Sequence, residues 1–339
     1  MKKLYIFLLI LLIACCAIGY KGYQWIYGIN TAYEEPYHLY IPTGVDYDQV
    51  RSIMEDDGIL QNIKSFDAVV RLMKYDTKPS AGHYILQPNQ SNRSLITLLR
   101  SGKQVPVNVT ISAARKLEDI AGVVSSMIEA DSGSIHRAML ETSLLDRRNI
   151  APSSAISLFI PNTYEFFWNS SAEDFIARME KEYDLFWDQT RIKQAEALDM
   201  SRAEVATLAS VIEKESNHKP ERSRIAGVYH NRLKSGIPLQ ADPTVVFGIG
   251  DFTIRRVLNK HLKTDTPYNT YMHPGLPLGP ICMPTISSLE AALNPENHDY
   301  LFFCAKPGYN NGHLFAKTNA QHERNASVYH RWLNSEGIR

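Results

Sequence analysis

Residues 201–216 read SRAEVATLASVIEKES, and this stretch decides the fold of the C-terminal part of the chain. Ser201 and Glu204 stand in the positions of a capping box, which begins a helix. Apolar residues then recur at helical spacing as far as the EKES sequence. Pro220 suits the first turn of a second helix, and Gly236 marks its end. The stretch therefore predicts two consecutive helices joined by a short turn.

The first of these helices ends with two glutamates, Glu213 and Glu215, on different faces. Residues two apart on a helix point about 200° apart, so these carboxylates do not form a facing acid/base pair. Glu215 lies closer to the apolar face, whereas Glu213 falls on the polar flank with Glu204. Burial and the negative end of the helix dipole both raise the pKa of a carboxyl group, so Glu215 is a candidate general acid. An ion pair between Glu215 and Arg222 or Arg224 is the structural alternative.

The N-terminus carries an uncharged apolar run, LYIFLLILLIACCAIGY, over residues 4–20. About 17 apolar residues meet the lower limit for a membrane span, and aromatic residues continue to Tyr27, as at a membrane interface. The lysines before the run favour a cytoplasmic N-terminus. We therefore predict a cytoplasmic tip at 1–3 and a transmembrane anchor over 4–27, with the rest of the chain outside the cytoplasm. A cleaved signal peptide, or a lipoprotein signal at Cys15, is the alternative.

Composition and periodicity divide the rest of the chain into segments. Residues 28–37 are polar and predict a juxtamembrane linker. Alternating strand and helix patterns over 38–111 predict a small α/β module, and 112–200 is mainly helical. Pro, Gly, Asn and aromatic residues predominate over 236–313, which predicts loops, and a last helix is expected over 319–333. The predicted fold class is α+β.

Charge and cysteine content exclude several classes of protein. Lys+Arg and Asp+Glu both number 36, and this zero net charge argues against nucleic-acid binding. Four cysteines cannot form a disulfide framework, and the pairing of Cys282 with Cys304 is left open. The sequence has no HExxH motif, Gly-rich phosphate loop or GxSxG motif, so we predict no metal or other cofactor.

Three loop motifs could line a site. In QADPT, over 240–244, Asp242 could cap a turn or face a ligand. YNTY, over 268–271, offers hydrogen-bonding groups and aromatic rings suited to a sugar. GLPLGP, over 275–280, is a rigid loop in either case.

The order of these motifs resembles that of the endolytic murein transglycosylases, the MltG or YceG-like family. The resemblance is carried by AGHYILQPNQSNRSLITLLRSGK, FIPNTYEF, LASVIEKES, VYHNRL, PLQADPTVVFG, TPYNTY, GLPLGPI, LNP and GHLFAKT. Several ordered motifs at compatible spacings make it specific. It implies an N-terminal transmembrane helix in the bacterial inner membrane, a LysM-like module and a mixed α+β catalytic domain over 112–339.

The same resemblance implies cleavage of peptidoglycan between N-acetylmuramic acid and N-acetylglucosamine, leaving 1,6-anhydromuramic ends. The catalytic acid of the family is the second glutamate of its Glu-Lys-Glu-Ser/Thr motif, which is Glu215 here. The substrate-binding residues implied by the matching motifs are Ser216, Gln240, Asp242, Thr244, Tyr268, Asn269 and Tyr271. A short anchor would keep the catalytic domain near the membrane, where new strands emerge. We therefore hypothesise that the protein cleaves nascent strands and ends their elongation, with peptidoglycan synthases as candidate partners.

Two other functions remain open. A muramidase would use the same acid, with Asp242 assisting a water molecule, and a non-catalytic scaffold would hold glycan through the LysM-like module. The chain also departs from the family pattern at three places. Leu278 replaces a common proline, Thr285 replaces a common glycine, and the segment 111–121 lacks the usual glycine before its helix.

Overall fold

The computed structural model describes residues 2–77, 79–308 and 312–337. Residue 1 of the predicted tip 1–3, residue 78 of the predicted module 38–111, and residues 309–311 and 338–339 of the predicted domain 112–339 lie outside the described residues. The chain combines α and β structure and divides into two compact units. Unit 1 comprises Met1–Asn108, Ser126–Ala130 and Glu165–Ser171. Unit 2 comprises Val109–Ser125, Asp131–Tyr164 and Ala172–Arg339.

Helix α1, Lys2–Tyr27, is the one helix of the described ranges that is long and apolar enough to cross a membrane. Its apolar window is fully exposed, as expected of a single-pass anchor. The C-terminal turn of α1 belongs to unit 1, because Trp25 and Ile26 pack against the core of that unit. The Asn92 side chain donates a 2.8 Å hydrogen bond to the Trp25 carbonyl.

The segment 28–37, expected to be a linker, makes defined contacts with unit 1. Thr31 pairs with Leu60 across an isolated bridge. Asn30 is buried, and its side-chain amide donates to the Asn92 side chain at 2.6 Å. A buried amide requires hydrogen-bond partners, and these partners hold the segment in place.

Unit 1 has the order strand, two helices, strand, helix, as β1 (Tyr37–Ile41), α2 (Tyr47–Asp56), α3 (Ile63–Met73), β2 (Gly82–Leu86) and α4 (Asn92–Ser101). The two strands are antiparallel, with Tyr37 opposite Leu86. The apolar faces of the three helices pack with the strands into one core. The predicted elements are confirmed here. The first strand ends at Ile41, because Pro42 has no N–H for a ladder bond.

Strands β3 (Val107–Ile111) and β4 (Asn162–Phe166) pair in a second two-stranded sheet. The helices between and after them are α5 (Leu117–Ser125), α6 (Ser132–Met139), α7 (Thr142–Arg148), α8 (Ala172–Phe186) and α9 (Gln189–Ala197). A 3-10 helix covers Pro152–Leu158. The mainly helical character predicted for 112–200 is therefore confirmed.

The predicted helical pair forms the centre of unit 2, as α10 (Arg202–Glu215) and α11 (Arg222–Lys234). Ser201 and Glu204 form both bonds of the predicted capping box. Every residue from Val205 to Ile212 is buried, so the middle of this helix is surrounded by protein on all sides.

The prediction of loops alone over 236–313 was wrong. This region contains α12 (Asp242–Ile249), α13 (Asn259–Leu262), α14 (Ile286–Leu293) and strand β5 (Phe302–Ala305), which pairs with β6 (His313–Ala316). These elements are short, and Pro and Gly residues between and within them are typical of loops. Pro243 lies in the first turn of α12, and Gly250 ends that helix with φ +78°. The last helix, α15, covers Asn319–Ser335, close to the prediction.

Candidate active site

A polar cleft in unit 2 lies at the C-terminal end of α10, and its volume is about 380 Å³. Its walls come from α11, the segment before α12, the β5–β6 hairpin and the start of α15. The residues that line it are Glu215, Tyr229, Arg232, Leu239, Gln240, Asp242, Tyr271, Phe302, Phe303, Cys304, Ala305, His313, Asn319 and His322. This combination of hydrogen-bonding groups and aromatic rings suits a carbohydrate ligand.

Glu215 is the last residue of α10 and faces this cleft. Burial raises the pKa of its carboxyl group to about 7, and the charge of Asp242 acts in the same direction. A hydrogen bond from Tyr229 and the charge of Arg232 oppose this rise in the pKa. Glu215 therefore holds a proton over much of the neutral range, as a general acid must.

Two side chains of α11, three residues apart on one face, contact this site. The Tyr229 hydroxyl donates to Glu215, and burial raises the pKa of Tyr229 well above its usual value. Arg232 is also buried, and it donates to the Leu301 carbonyl at 2.6 Å and to the Gln240 side chain at 3.3 Å. Burial lowers the pKa of Arg232, which nevertheless supplies a positive charge beside Glu215.

The structure brings three of the predicted binding residues together with Glu215. Gln240, Asp242 and Tyr271 all line the cleft. The Tyr271 hydroxyl donates a 2.6 Å hydrogen bond to the Asp242 carboxylate. Gln240 has φ +50°, and its N–H donates to the Thr270 carbonyl at 3.1 Å. These bonds connect the QADPT and YNTY motifs across the cleft.

The structure places Thr244 and Asn269 beneath the cleft instead of along its wall. Thr244 is fully buried, and its hydroxyl donates to the Ala241 carbonyl at 2.7 Å. Asn269 is also buried, and its amide donates to the carbonyls of Leu262 and Thr264. Both side chains use their polar groups to fix the loops that carry the cleft residues.

Tyr268 and Ser216 also lie outside the lining of the cleft. The Tyr268 ring packs edge-on against Phe247, with ring centroids 4.8 Å apart. Ser216 is buried at the end of α10, where its hydroxyl accepts a 3.0 Å hydrogen bond from the His218 N–H. These two residues therefore support the local fold.

Glu213 occupies a different environment from Glu215. It forms a bidentate ion pair with Arg222, at 3.0 and 3.1 Å. Burial would raise its pKa, but hydrogen bonds from Ser288 and Thr285 and the charge of Arg222 outweigh this and lower the pKa. The structural alternative, an ion pair of Glu215 with Arg222 or Arg224, is not formed, because Arg222 pairs with Glu213 and Arg224 pairs with Glu296. The expected polar flank at Glu213 is a half-buried contact of α10 with α11 and α14.

Sequence reasoning missed the contribution of α11, the β5–β6 hairpin and α15 to the cleft. Tyr229 and Arg232 lie within VYHNRL, and their spacing of three was the signal available. His313, in GHLFAKT, is fixed by Glu221, whose carboxylate lies 2.9 Å from the ring Nδ1. No motif in the sequence marks Asn319 or His322 as cleft residues, because their place in the cleft with Glu215 depends on the tertiary fold.

Other reactive groups are accounted for by their surroundings. Cys282 and Cys304 are free thiols. Cys282 is buried and contacts the Ser210 carbonyl at 3.7 Å, whereas Cys304 lines the cleft. Within residues 2–77, 79–308 and 312–337, no group of three or more His, Cys, Asp or Glu residues could hold a metal ion.

Comparison with known proteins identifies the family. The model of the YceG-like family matches residues 39–328, which is most of the chain. The chain belongs to the YceG-like family. A YceG-like protein from Listeria monocytogenes, with a 2.6 Å crystal structure, is 30% identical with a TM-score of 0.58. That alignment covers 86% of this chain and 98% of the Listeria chain, so the two share their fold.

Relatives of this YceG-like protein carry the name endolytic murein transglycosylase. The protein from Bacillus subtilis strain 168 is 31% identical over 86% of this chain and 84% of its own length. The protein from Streptococcus pneumoniae R6 is 27% identical over 97% of this chain and 65% of its own length. The chain thus spans slightly less than two thirds of the streptococcal relative. The resemblance inferred from the motifs is confirmed.

Proposed function

We propose that this YceG-like protein is an endolytic lytic transglycosylase that cuts the glycan strands of peptidoglycan. The observation that carries the proposal is Glu215, a carboxyl group with a pKa of about 7 in a polar cleft. The names of the relatives support the same reaction. The bond cut would be the one between N-acetylmuramic acid and N-acetylglucosamine.

The reaction needs one carboxyl group that acts twice. Glu215 first donates its proton to the bridging oxygen, and the bond from this oxygen to the anomeric carbon breaks as an oxocarbenium-like state develops. The 6-hydroxyl of the same muramic sugar then bonds to the anomeric carbon and returns its proton to Glu215. The product is a 1,6-anhydromuramic end, and no water is consumed. Tyr229 and Arg232 stabilise the Glu215 carboxylate between the two steps.

The remaining cleft residues would bind and orient the sugars. Gln240, Asp242 and Tyr271 present amide, carboxylate and phenol groups to the cleft. Gln240 is the candidate for orienting the 2-acetamido group. Thr244 and Asn269 act through the loops that they hold.

Mass spectrometry of digested peptidoglycan tests this proposal. The full chain should release fragments one water lighter than hydrolysis products, and borohydride should not reduce them. Glu215→Gln should abolish these products while circular dichroism shows the same fold. Retained activity in Glu215→Gln would refute the role of Glu215, and binding without cleavage by the full chain would favour a glycan-binding scaffold.

A muramidase is the second candidate, because Asp242 shares the cleft with Glu215. In that reaction the Asp242 carboxylate would activate a water molecule, as the second carboxylate of an inverting glycosidase does. Products with ends that borohydride reduces would establish the muramidase reaction. Asp242→Asn should then abolish cleavage, whereas in the transglycosylase reaction the anhydro products persist.

We further propose the organisation of the chain on the membrane. Residues 4–27 would cross the inner membrane, with 1–3 in the cytoplasm. The segments 28–37, 38–111 and 112–339 would lie outside, close to nascent strands and their synthases. The lysines before the apolar run support this orientation. Protease added outside spheroplasts should digest the catalytic domain, and its protection there would contradict the orientation.

Unit 1 would contain a LysM-like module that holds glycan. Its support is the order β1-α2-α3-β2 with antiparallel strands, and a polar surface cavity of about 620 Å³. Gln90, Ser94 and Thr97 supply amide and hydroxyl groups to that cavity. Gln90→Ala/Ser94→Ala should weaken co-sedimentation of the full chain with insoluble peptidoglycan. Unchanged binding would assign glycan retention elsewhere.

A further inference from the structure

A second cavity of unit 2, of about 420 Å³, adjoins the cleft and shares Asp242 with it. Its volume is typical of a small-molecule site. The apolar part of its lining is formed by Val246, Phe247, Phe252, Ile254, Val257 and Ile281. No step of the proposed reaction uses this cavity, so its shape and chemistry need a separate explanation.

Four cationic side chains line the same cavity, and Asp242 is the one acidic residue there. The cations are Arg115, Lys214, Arg255 and Arg256. All four are exposed, and none forms an ion pair within the described ranges. This local excess stands out in a chain whose net charge is zero. Unpaired cations around an apolar pocket attract an anionic ligand.

The backbone around Arg115 is held in place. The Asp119 carboxylate accepts hydrogen bonds from the N–H groups of Arg115 and Lys116, at 2.9 and 3.0 Å. The Arg115 guanidinium lies over the Phe252 ring, 4.5 Å from its centroid. This cation–π contact fixes the charge at the rim of the cavity before a ligand arrives.

Lys214 connects this cavity to the chemistry, because it lies between Glu213 and Glu215 on α10. Three successive residues therefore reach three environments, which are the Arg222 ion pair, the cationic cavity and the cleft. A ligand in the cavity lies beside the reacting sugars. A substituent of those sugars or of their neighbours is therefore placed to reach the cavity.

We infer that the cationic cavity binds the stem peptide of the muramic sugar through the free carboxylates of that peptide. A stem peptide combines alanine methyl groups with acidic groups, which matches an apolar floor with a cationic rim. It is attached to the sugar whose bond Glu215 cleaves. This inference rests on the proposed function, because it assigns a second part of the same substrate.

The test compares two synthetic glycan strands that differ only in charge. One bears stem peptides with free carboxylates, and in the other each carboxylate is a carboxamide. The full chain should cleave the charged strand with a kcat/KM higher by roughly fivefold to tenfold, mainly through KM, because each exposed ion pair contributes little by itself. Arg255→Gln/Arg256→Gln removes two of the four cations and should reduce this preference, because kcat/KM falls more for the charged strand than for the carboxamide strand.

The matched control is Arg331→Gln, which removes an exposed arginine that lines neither cavity. It should keep the preference for the charged strand. Equal cleavage of both strands by the full chain, or an equal loss on both strands in Arg255→Gln/Arg256→Gln, would overturn the inference.

A binding experiment separates failure of this inference from failure of the proposed function. Calorimetry with muramyl pentapeptide and the full chain carrying Glu215→Gln measures the cavity without turnover. Binding that weakens on adding Arg255→Gln/Arg256→Gln supports the cavity assignment, even if the full chain cleaves neither strand. Binding that is absent, or that ignores the arginines, refutes the assignment.

Discussion

At the scale of the residue, Glu213 and Glu215 show how surroundings decide what a carboxyl group does. Arg222 and two hydroxyl groups lower the pKa of Glu213, whereas burial raises the pKa of Glu215 to about 7. Helical geometry alone separated the two and selected Glu215. It could not predict the partners of Glu213, because Thr285 and Ser288 are more than seventy positions away in the sequence.

Activity should fall as the pH rises through the pKa of Glu215. Its pKa is about 7, and the ionised carboxyl group cannot donate a proton, so kcat/KM should fall about tenfold per pH unit above this value. In Asp242→Asn this fall in kcat/KM should begin at lower pH, because the negative charge of Asp242 raises the pKa of Glu215 in the wild type. If kcat/KM falls at the same pH in Asp242→Asn as in the wild type, Glu215 is not the group that controls the fall. Steady-state kinetics between pH 5 and 9 give the comparison.

Glu215→Gln should stabilise the protein while it abolishes activity. Because burial raises the folded pKa of Glu215 above its unfolded value, the wild-type chain loses stability as the pH rises from about 4.5 to about 7. The glutamine has no charge to desolvate, so the free energy of unfolding of the variant should exceed that of the wild type by roughly 1–3 kcal/mol above pH 7. Urea unfolding at pH 4 and pH 8 measures this. An equal difference at both pH values would refute the explanation.

At the scale of the element, the Glu213 network joins α10, α11 and α14. Its existence explains one departure from the family pattern, because the Thr285 hydroxyl that replaces a glycine donates to Glu213. A second departure has a similar explanation. Leu278 donates its N–H to the Pro267 carbonyl at 3.2 Å, and a proline could not make this bond.

Glu213→Ala should destabilise the chain by about 3–5 kcal/mol, because it leaves the buried Arg222 without its carboxylate. Glu213→Gln keeps a hydrogen-bonding group and should lose less. The lowered pKa of Glu213 gives wild type a contribution to stability that is present above its unfolded pKa and is lost as the pH falls through the folded pKa. Thermal unfolding at pH 7 ranks the three proteins, and equal stability of all three would exclude the network.

Ala113→Gly should stabilise the segment before α5. Ala113 has φ +50°, a left-handed conformation that costs a non-glycine residue roughly 1–2 kcal/mol. Glycine also loses more conformational entropy on folding, and this offsets part of the stabilisation. The free energy of unfolding should therefore rise by about 0.5–1 kcal/mol. The neighbouring Ala114 is buried without a positive φ, and Ala114→Gly should destabilise the chain. Chemical denaturation of both variants measures whether each substitution raises or lowers the free energy of unfolding.

Local signals explain which elements the sequence could predict. The capping box at Ser201 and the glycine at 236 bounded α10 and α11 closely. The hairpin of β5 and β6 was hidden, because its strands have four residues each and are only half-buried. The position of Arg232 was also hidden, since the Leu301 carbonyl that it binds belongs to the tertiary fold.

At the scale of the whole molecule, the C-terminal end of the apolar helix α1 packs against the core of unit 1. A fragment that begins at residue 21 should be more stable than one that begins at residue 28, because the shorter fragment loses Trp25 and Ile26 from the core of unit 1. The burial of such side chains contributes about 2 kcal/mol. Thermal unfolding of the two soluble fragments measures the difference. Equal melting temperatures would show that the end of α1 adds nothing.

The packing of the end of α1 against unit 1 has a consequence for the motion of a chain anchored as we propose. A flexible connection between an anchor and unit 1 would let that unit reorient freely above the bilayer. The hydrogen bond from Asn92 to the Trp25 carbonyl instead ties the end of α1 to that unit, together with the packing of Trp25 and Ile26 against its core. In the proposed membrane topology, unit 1 would then keep one face toward the lipid while the protein diffuses laterally. Under the proposed function, its encounters with glycan would be confined to the layer of cell wall nearest the membrane.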